Sequence, residues 1–129
     1  MLHTPITAFY GGLLGITFVY LSILVVRGRR AGKISLGDGG DNHFLGVIRA
    51  HGNFAEYVPL TLVLMLVAEI NSSYPIVLHS AGVALLVGRI VHAYGLKHHS
   101  GASWQRVSGM ILTFVALIGL SVQNIVYLY

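Results

Sequence analysis

The sequence has no cysteine and few charged residues. Without cysteine the chain has no disulfide, no thiolate metal site and no cysteine nucleophile, so any thiol chemistry must use the thiol of a substrate. Charged residues make up 9% of the 129 residues and hydrophobic residues 55%; soluble domains have about 25% charged residues. So short a chain has too little interior to hide this much apolar surface from water. The composition excludes an ordinary soluble domain, a disordered chain and a disulfide scaffold, and it predicts an integral membrane protein.

Acidic residues are scarce as well, with four Asp and Glu against eight Lys and Arg. In a soluble protein this excess would point to nucleic acid, but in a membrane protein it marks the cytoplasmic side, so we expect no nucleic-acid partner. Four of the Lys and Arg lie in 27–48 and two in 97–106, whereas 71–75 has none. We therefore expect both basic loops in the cytoplasm. Both termini are then expected on the outer side of the membrane.

Long apolar stretches predict four transmembrane helices, since each crossing needs about 20 residues. The first stretch is expected to be a retained span, because the basic residues follow it, whereas in a signal peptide they precede it. Asn71–Ser73 forms a short turn, and Pro75 begins the next helix. The predicted fold is all-α, an antiparallel four-helix membrane bundle forming one domain over residues 1–129. The predicted spans are 5–26, 45–71, 74–96 and 107–129.

Polar residues inside the second and third spans are the candidates for function, because ionisable groups within a membrane normally face a partner or a cavity. Arg49, Asn53 and Glu56 fall within about 60° on one face of the second helix. Arg89 and His92 lie at the same depth on the third helix. Donors outnumber acceptors in this set, which favours an anionic ligand with several carboxylates, held by arginine.

A purely structural reading also exists for each pair. An ion pair of Arg49 or Arg89 with Glu56 would fix the register of the helices without any ligand. A structural role explains a single ion pair better than it explains the whole polar cluster. We interpret Glu69 and His79 as interfacial or packing residues. His98 and His99 are interpreted as solvated loop residues, and no metal site is predicted.

One run of residues resembles the signature of the MAPEG family, the membrane-associated proteins of eicosanoid and glutathione metabolism. The family includes microsomal glutathione transferases and the leukotriene and prostaglandin E synthases. The spacing Arg-x-x-x-Asn-x-x-Glu, with proline three residues after the glutamate, is specific within a membrane helix. The matching segments are 49–60 (RAHGNFAEYVPL) and 88–92 (GRIVH). The length and the four predicted spans agree, so the resemblance extends over essentially the whole chain and is closest to short bacterial members. It implies a bacterial inner membrane, with both termini on the periplasmic side.

The resemblance implies a homotrimer that binds glutathione as a co-substrate between adjacent subunits, near the cytoplasmic side. The residues expected to bind glutathione are Arg49, His51, Asn53, Glu56, Tyr57, Arg89, His92, Arg29 and Arg30. Arg106 is the candidate catalytic arginine. The chain departs from the synthases at Met110, where they commonly have tyrosine, and Tyr94 matches their third-helix tyrosine only after a shift.

The implied activity is a glutathione-dependent transferase or peroxidase. A guanidinium beside the sulfur favours the thiolate, which then attacks a hydrophobic electrophile that arrives from the lipid. Three alternatives remain open at this point. The first is a binding protein of the same fold without turnover, and the second is a haem protein that uses His51, His79 and His92. The third is a small proton-coupled exporter with Glu56 or Glu69 as the exchanging carboxylate.

Overall fold

The computed structural model describes residues 3–126, which form four α-helices. All four are long and apolar enough to cross a membrane, as the sequence predicts. Successive helices run antiparallel, and the chain is an integral membrane protein in contact with lipid. The helices are α1 (Pro5–Gly32), α2 (Asn42–Ile70), α3 (Pro75–His98) and α4 (Trp104–Val126).

Local sequence signals explain where the helices begin and end. Proline opens α1 and α3, because its missing N–H needs no partner in the first turn. The carboxylate of Asp41 caps α2 by accepting hydrogen bonds from the backbone N–H groups of His43 (2.9 Å) and Phe44 (3.2 Å). Lys33 ends α1 in a left-handed conformation, with φ of 52°.

The helices extend beyond the predicted spans at the ends that carry basic residues. α1 continues through Arg27, Arg29 and Arg30 to Gly32, and α3 continues to His98. α4 begins at Trp104, so Arg106 lies in the first turns of a helix rather than in a loop. Basic side chains favour the C-terminal turns of α1 and α3, where the backbone carbonyls concentrate negative charge. The predicted fourth span reaches residue 129, and its last three residues lie outside the described range.

The α2–α3 pair forms the middle of the bundle. α1 packs against one side of this pair, and α4 packs against α2 and α3 on the other. Within residues 3–126, α1 and α4 do not contact each other. We call the end at which α1 and α3 finish, and α2 and α4 begin, the basic end. Both predicted basic loops lie at that end.

Candidate functional site

Arg89 lies at the centre of the polar cluster and is only 2% exposed. Its Nε donates to Oγ1 of Thr113 at 2.9 Å, and one terminal nitrogen donates to Oδ1 of Asn53. The other terminal nitrogen donates to the carbonyl oxygen of Gly109 at 3.4 Å and to the sulfur of Met110 at 3.1 Å. One guanidinium therefore connects α2, α3 and α4, and each of its three nitrogens has an acceptor in a region where water is scarce.

The ring of Tyr57 covers the same guanidinium. The carbon at the centre of the Arg89 guanidinium lies 5.6 Å from the ring centroid, within cation–π range. Tyr57 also contacts Phe114 of α4 edge-to-face, with ring centroids 5.8 Å apart. The tyrosine therefore connects the buried arginine to the outer surface between α2 and α4.

The predicted stripe on α2 divides into an inner and an outer part. Asn53 turns inward to Arg89, whereas Arg49 and Glu56 face outward and pair with each other at 3.5 Å. Their side chains are 52% and 53% exposed. This pair is one of the two that the structural reading considered. Arg89 donates to the amide oxygen of Asn53, and no carboxylate among the described residues pairs with it.

Arg106 lies beside His92 at the basic end of α4. The ring nitrogen Nδ1 of His92 is 3.0 Å from the backbone carbonyl of Arg106 and donates to it in the tautomer that carries the proton there. Among residues 3–126, the guanidinium of Arg106 donates one hydrogen bond, to the carbonyl oxygen of Gly101 at 2.8 Å. A groove of about 560 Å³ runs along this part of α4, from His92 of α3 to Phe114, which borders α2 through its contact with Tyr57. Its size is within the range of roughly 300–1,000 Å³ for small-ligand sites. Its lining includes His92, Ser103, Arg106, Met110, Ile111 and Phe114.

His51, Arg29 and Arg30 lie on the α1 side of the same chain, away from this groove. Nε2 of His51 is 3.1 Å from the hydroxyl of Ser22, and its ring stacks on Phe18 at 4.8 Å. Arg29 donates to the carbonyl of Gly37 at 3.0 Å, and Arg30 is exposed at the basic end. Because α1 does not contact α4 within the described residues, one copy of the chain does not bring these three side chains to Arg106.

The histidines of the haem hypothesis and the Glu69 carboxylate of the exporter hypothesis each form hydrogen bonds with a different part of the protein. Nδ1 of His79 is 3.1 Å from the hydroxyl of Tyr10 on α1, whereas His92 faces α4. The carboxylate of Glu69 accepts hydrogen bonds from the backbone N–H groups of Ile6 (2.9 Å) and Thr7 (2.7 Å), so it caps the start of α1. Among residues 3–126, no three His, Asp or Glu side chains are grouped to hold a metal ion.

Sequence reasoning did not identify the α4 residues that hold Arg89. Thr113 accepts from Arg89 and donates to the carbonyl of Gly109 at 2.8 Å. Gly109 and Thr113 are spaced four apart, the small-residue spacing that lets membrane helices pack closely. Gly11 and Gly15 of α1 have the same spacing, yet nothing within 4 Å of either would meet an added Cβ. The signal was present in α4, but spacing alone does not distinguish a packed pair from an exposed one.

Known proteins are similar to this chain over nearly its whole length. The model of the MAPEG family matches residues 7–126. Inner membrane protein YecN of Escherichia coli K12 is 38% identical over 123 residues, which cover 95% of this chain and 92% of the relative. The protein of the same name from Escherichia coli O6:H1 strain CFT073 gives the same values. Together with the four spanning helices, this similarity identifies the chain as an integral protein of the inner membrane.

Proposed function

The chain belongs to the MAPEG family, and on that premise we propose that it is a glutathione-dependent membrane enzyme. It transfers glutathione to a hydrophobic electrophile, or uses glutathione to reduce a lipid hydroperoxide. The observation that carries the proposal is the arrangement of charge on the uncovered surface of α2 and α4. Arg49 and Glu56 are half exposed there, and Arg106 has guanidinium donors to spare.

Glutathione has the charges that this surface complements. The tripeptide carries two carboxylates, one ammonium group and a thiol. Arg49 provides a guanidinium for a carboxylate, which it binds through two parallel hydrogen bonds, and Glu56 provides an acceptor for the ammonium. Asn53 and Tyr57 lie next to them, but Asn53 is already bonded to Arg89. We therefore assign Asn53, Arg89 and His92 to holding the shape of the site, and the exposed charges to direct contact.

Arg106 is the proposed thiolate-stabilising residue. A free thiol has a pKa near 8.5, and lowering it by two units needs about 2.7 kcal/mol of preferential stabilisation of the anion. One charge-assisted hydrogen bond in a poorly hydrated groove supplies energy of that order. The thiolate sulfur then bonds to an electrophilic carbon, and the leaving group departs with its electron pair. With a hydroperoxide, the sulfur takes the terminal oxygen and releases an alcohol, and a second glutathione converts the sulfenic acid to disulfide and water.

We propose that the site is completed by a second copy of the chain within a homotrimer. A half-exposed ion pair on a spanning helix is costly when it faces lipid, and such groups normally face protein or a wet cavity. The α2–α4 surface of one copy would meet the α1 side of the next. Such an interface would bring His51, Arg29 and Arg30 of the neighbouring copy toward Arg49 and Arg106.

An ultraviolet difference titration of detergent-purified protein tests the proposal by following thiolate absorbance as glutathione is added near pH 7. We expect a saturable signal that is lost in Arg106→Ala and requires higher glutathione in Arg49→Ala. Arg27→Gln is the matched control, since Arg27 is exposed at the same end but outside the site. A chain that shows neither thiolate nor binding at millimolar glutathione would contradict the proposal.

A second candidate is binding of glutathione without turnover. Met110 favours it, because one turn after Arg106 the chain presents a thioether, already bonded to Arg89, in place of a hydroxyl. The two candidates differ in one readout. A saturable thiolate signal with no product from chlorodinitrobenzene or from a fatty-acid hydroperoxide would favour the binding protein.

A further inference from the structure

An apolar groove between α1 and α3 lies on the opposite face of α3 from the glutathione site. Its volume is about 490 Å³, and α2 forms its floor through Val47 and Ala50. The α3 residues that line it follow the i, i+3, i+4, i+7 spacing of one helix face: Ile90, Ala93, Tyr94 and Lys97. His92, which lines the other groove, falls outside this face. This groove is therefore separate from the residues of the proposed chemistry.

The groove covers the depth of one leaflet of a bilayer. On α1 it runs from Ile16, close to the middle of the helix, to Leu24, and on α3 from Ile90 to His98. Eight residues of helix rise about 12 Å, nearly half the roughly 30 Å hydrocarbon thickness of a membrane. The groove thus begins near the middle of the bundle and opens at the basic end, where headgroups of that leaflet lie.

The open end of the groove is basic, whereas the rest of its lining is largely apolar. Lys97 and His98 lie in the last turn of α3, and both line the mouth. Within residues 3–126, Lys97 has no carboxylate at ion-pairing distance. The groove therefore combines apolar walls with a cation that has no anionic partner in the part of the chain that the structure describes.

We infer that this groove binds an anionic phospholipid, with one acyl chain between α1 and α3 and the headgroup phosphate at Lys97. The apolar walls match an acyl chain in length and depth. The ammonium of Lys97 donates hydrogen bonds to the phosphate at the level where such groups lie. A basic residue near an anionic membrane surface contributes about 1 kcal/mol of attraction, or roughly a five-fold preference over a zwitterionic lipid.

Quenching by brominated lipid tests the inference. The reporter is a Tyr94→Trp chain in which the single native tryptophan is removed by Trp104→Phe. It is reconstituted in phosphatidylcholine vesicles that contain a small fraction of phosphatidylglycerol or phosphatidylcholine with brominated acyl chains. We expect about five-fold stronger apparent association of the brominated phosphatidylglycerol. A Val83→Trp reporter, exposed on α3 outside the groove, is expected to show no preference.

Substitutions at the mouth of the groove show whether Lys97 causes the preference for the anionic lipid. Lys97→Gln is expected to remove the preference, Lys97→Arg to keep it, and Arg27→Gln, at the same end but outside the groove, to leave it unchanged. Equal quenching by both lipids in the Tyr94→Trp reporter would overturn the inference. An equal loss of the lipid preference in Arg27→Gln would also overturn the inference, because it would indicate that general surface charge attracts the lipid. Absence of quenching by either lipid would show that protein covers the groove, and would also overturn it.

Discussion

Gly88 of α3 and Gly109 of α4 face each other at a close contact between the two helix backbones. A Cβ added to Gly109 would lie 2.6 Å from the carbonyl oxygen of Gly88, and one added to Gly88 would lie 2.8 Å from the carbonyl oxygen of Gly109. The next residue after Gly88 is Arg89, which donates to that same carbonyl of Gly109. Because the two backbones lie so close together, Thr113 and Met110 of α4 come within hydrogen-bonding distance of Arg89.

Gly109→Ala is expected to destabilise the bundle, because the new methyl group would press on the backbone of Gly88 and on His92. Overpacking of this kind costs about 1–3 kcal/mol, of which the better helix propensity of alanine offsets about 1 kcal/mol. Unfolding in a titration with SDS, followed by Trp104 fluorescence, measures the difference. Gly119→Ala is the matched control on α4, since nothing within 4 Å would meet its Cβ. Equal stability of the two variants would refute the proposed close approach.

The fold follows from the sequence because each span is a long apolar segment that must satisfy its backbone hydrogen bonds internally. The turn at Asn71–Ser73 and the start of α3 at Pro75 are local signals and are confirmed. The helix ends at Arg27–Gly32 and His98 were missed, because the predicted bounds followed hydropathy. Hydropathy falls at basic residues, although the helix continues through them.

The candidate site was predictable only in part. The spacing of Arg49, Asn53 and Glu56 places them on one face of α2, but a helical projection does not show how far each side chain turns. The structure separates Asn53, which bonds inward to Arg89, from the exposed Arg49–Glu56 pair. The contacts of Thr113 and Met110 with Arg89 were not predicted, because they depend on how α3 and α4 cross. That crossing is a long-range property that no local pattern encodes.

Removing the partner of Arg89 on α2 is expected to cost stability. Asn53→Leu deletes the acceptor of a hydrogen bond from a buried guanidinium, a loss of about 1.5–3 kcal/mol. Asn53→Asp keeps an acceptor at the same position and is expected to retain most of the stability. The SDS titration compares the two. If Asn53→Asp were as unstable as Asn53→Leu, the Asn53–Arg89 hydrogen bond would not be the interaction that matters at this position.

Glu69 is expected to hold the start of α1 against the end of α2. Glu69→Ala removes the acceptor of the Ile6 and Thr7 N–H groups, and loss of a helix cap costs about 0.5–2 kcal/mol. Hydrogen exchange measured by mass spectrometry should show faster exchange confined to the first turns of α1, with Glu69→Gln much less affected. Glu56→Gln serves as a control on the same helix. Unchanged exchange at the start of α1 in Glu69→Ala would exclude the capping role.

One copy of the chain does not bring together all the residues of the proposed glutathione site. Arg49 and Arg106 lie on the α2–α4 surface, whereas Arg30 is exposed at the end of α1, which does not contact α4 within the described residues. If a site is formed between copies, Arg30 of one copy and Arg49 of another contribute to the same glutathione site. Arg49→Ala and Arg30→Ala would then each lose tight glutathione binding alone.

Complementation distinguishes a shared site from a site within one chain. When the Arg49→Ala and Arg30→Ala chains are co-expressed and purified through two different tags, a mixed oligomer contains an interface at which both arginines are intact. We expect the thiolate signal to return in the mixed assembly at a fraction of the unsubstituted level. A mixture of Arg49→Ala with Arg106→Ala should not recover, because both substitutions fall on the same surface and every interface then lacks one of the two. Recovery in that second mixture, or none in the first, would contradict a site shared between neighbouring copies.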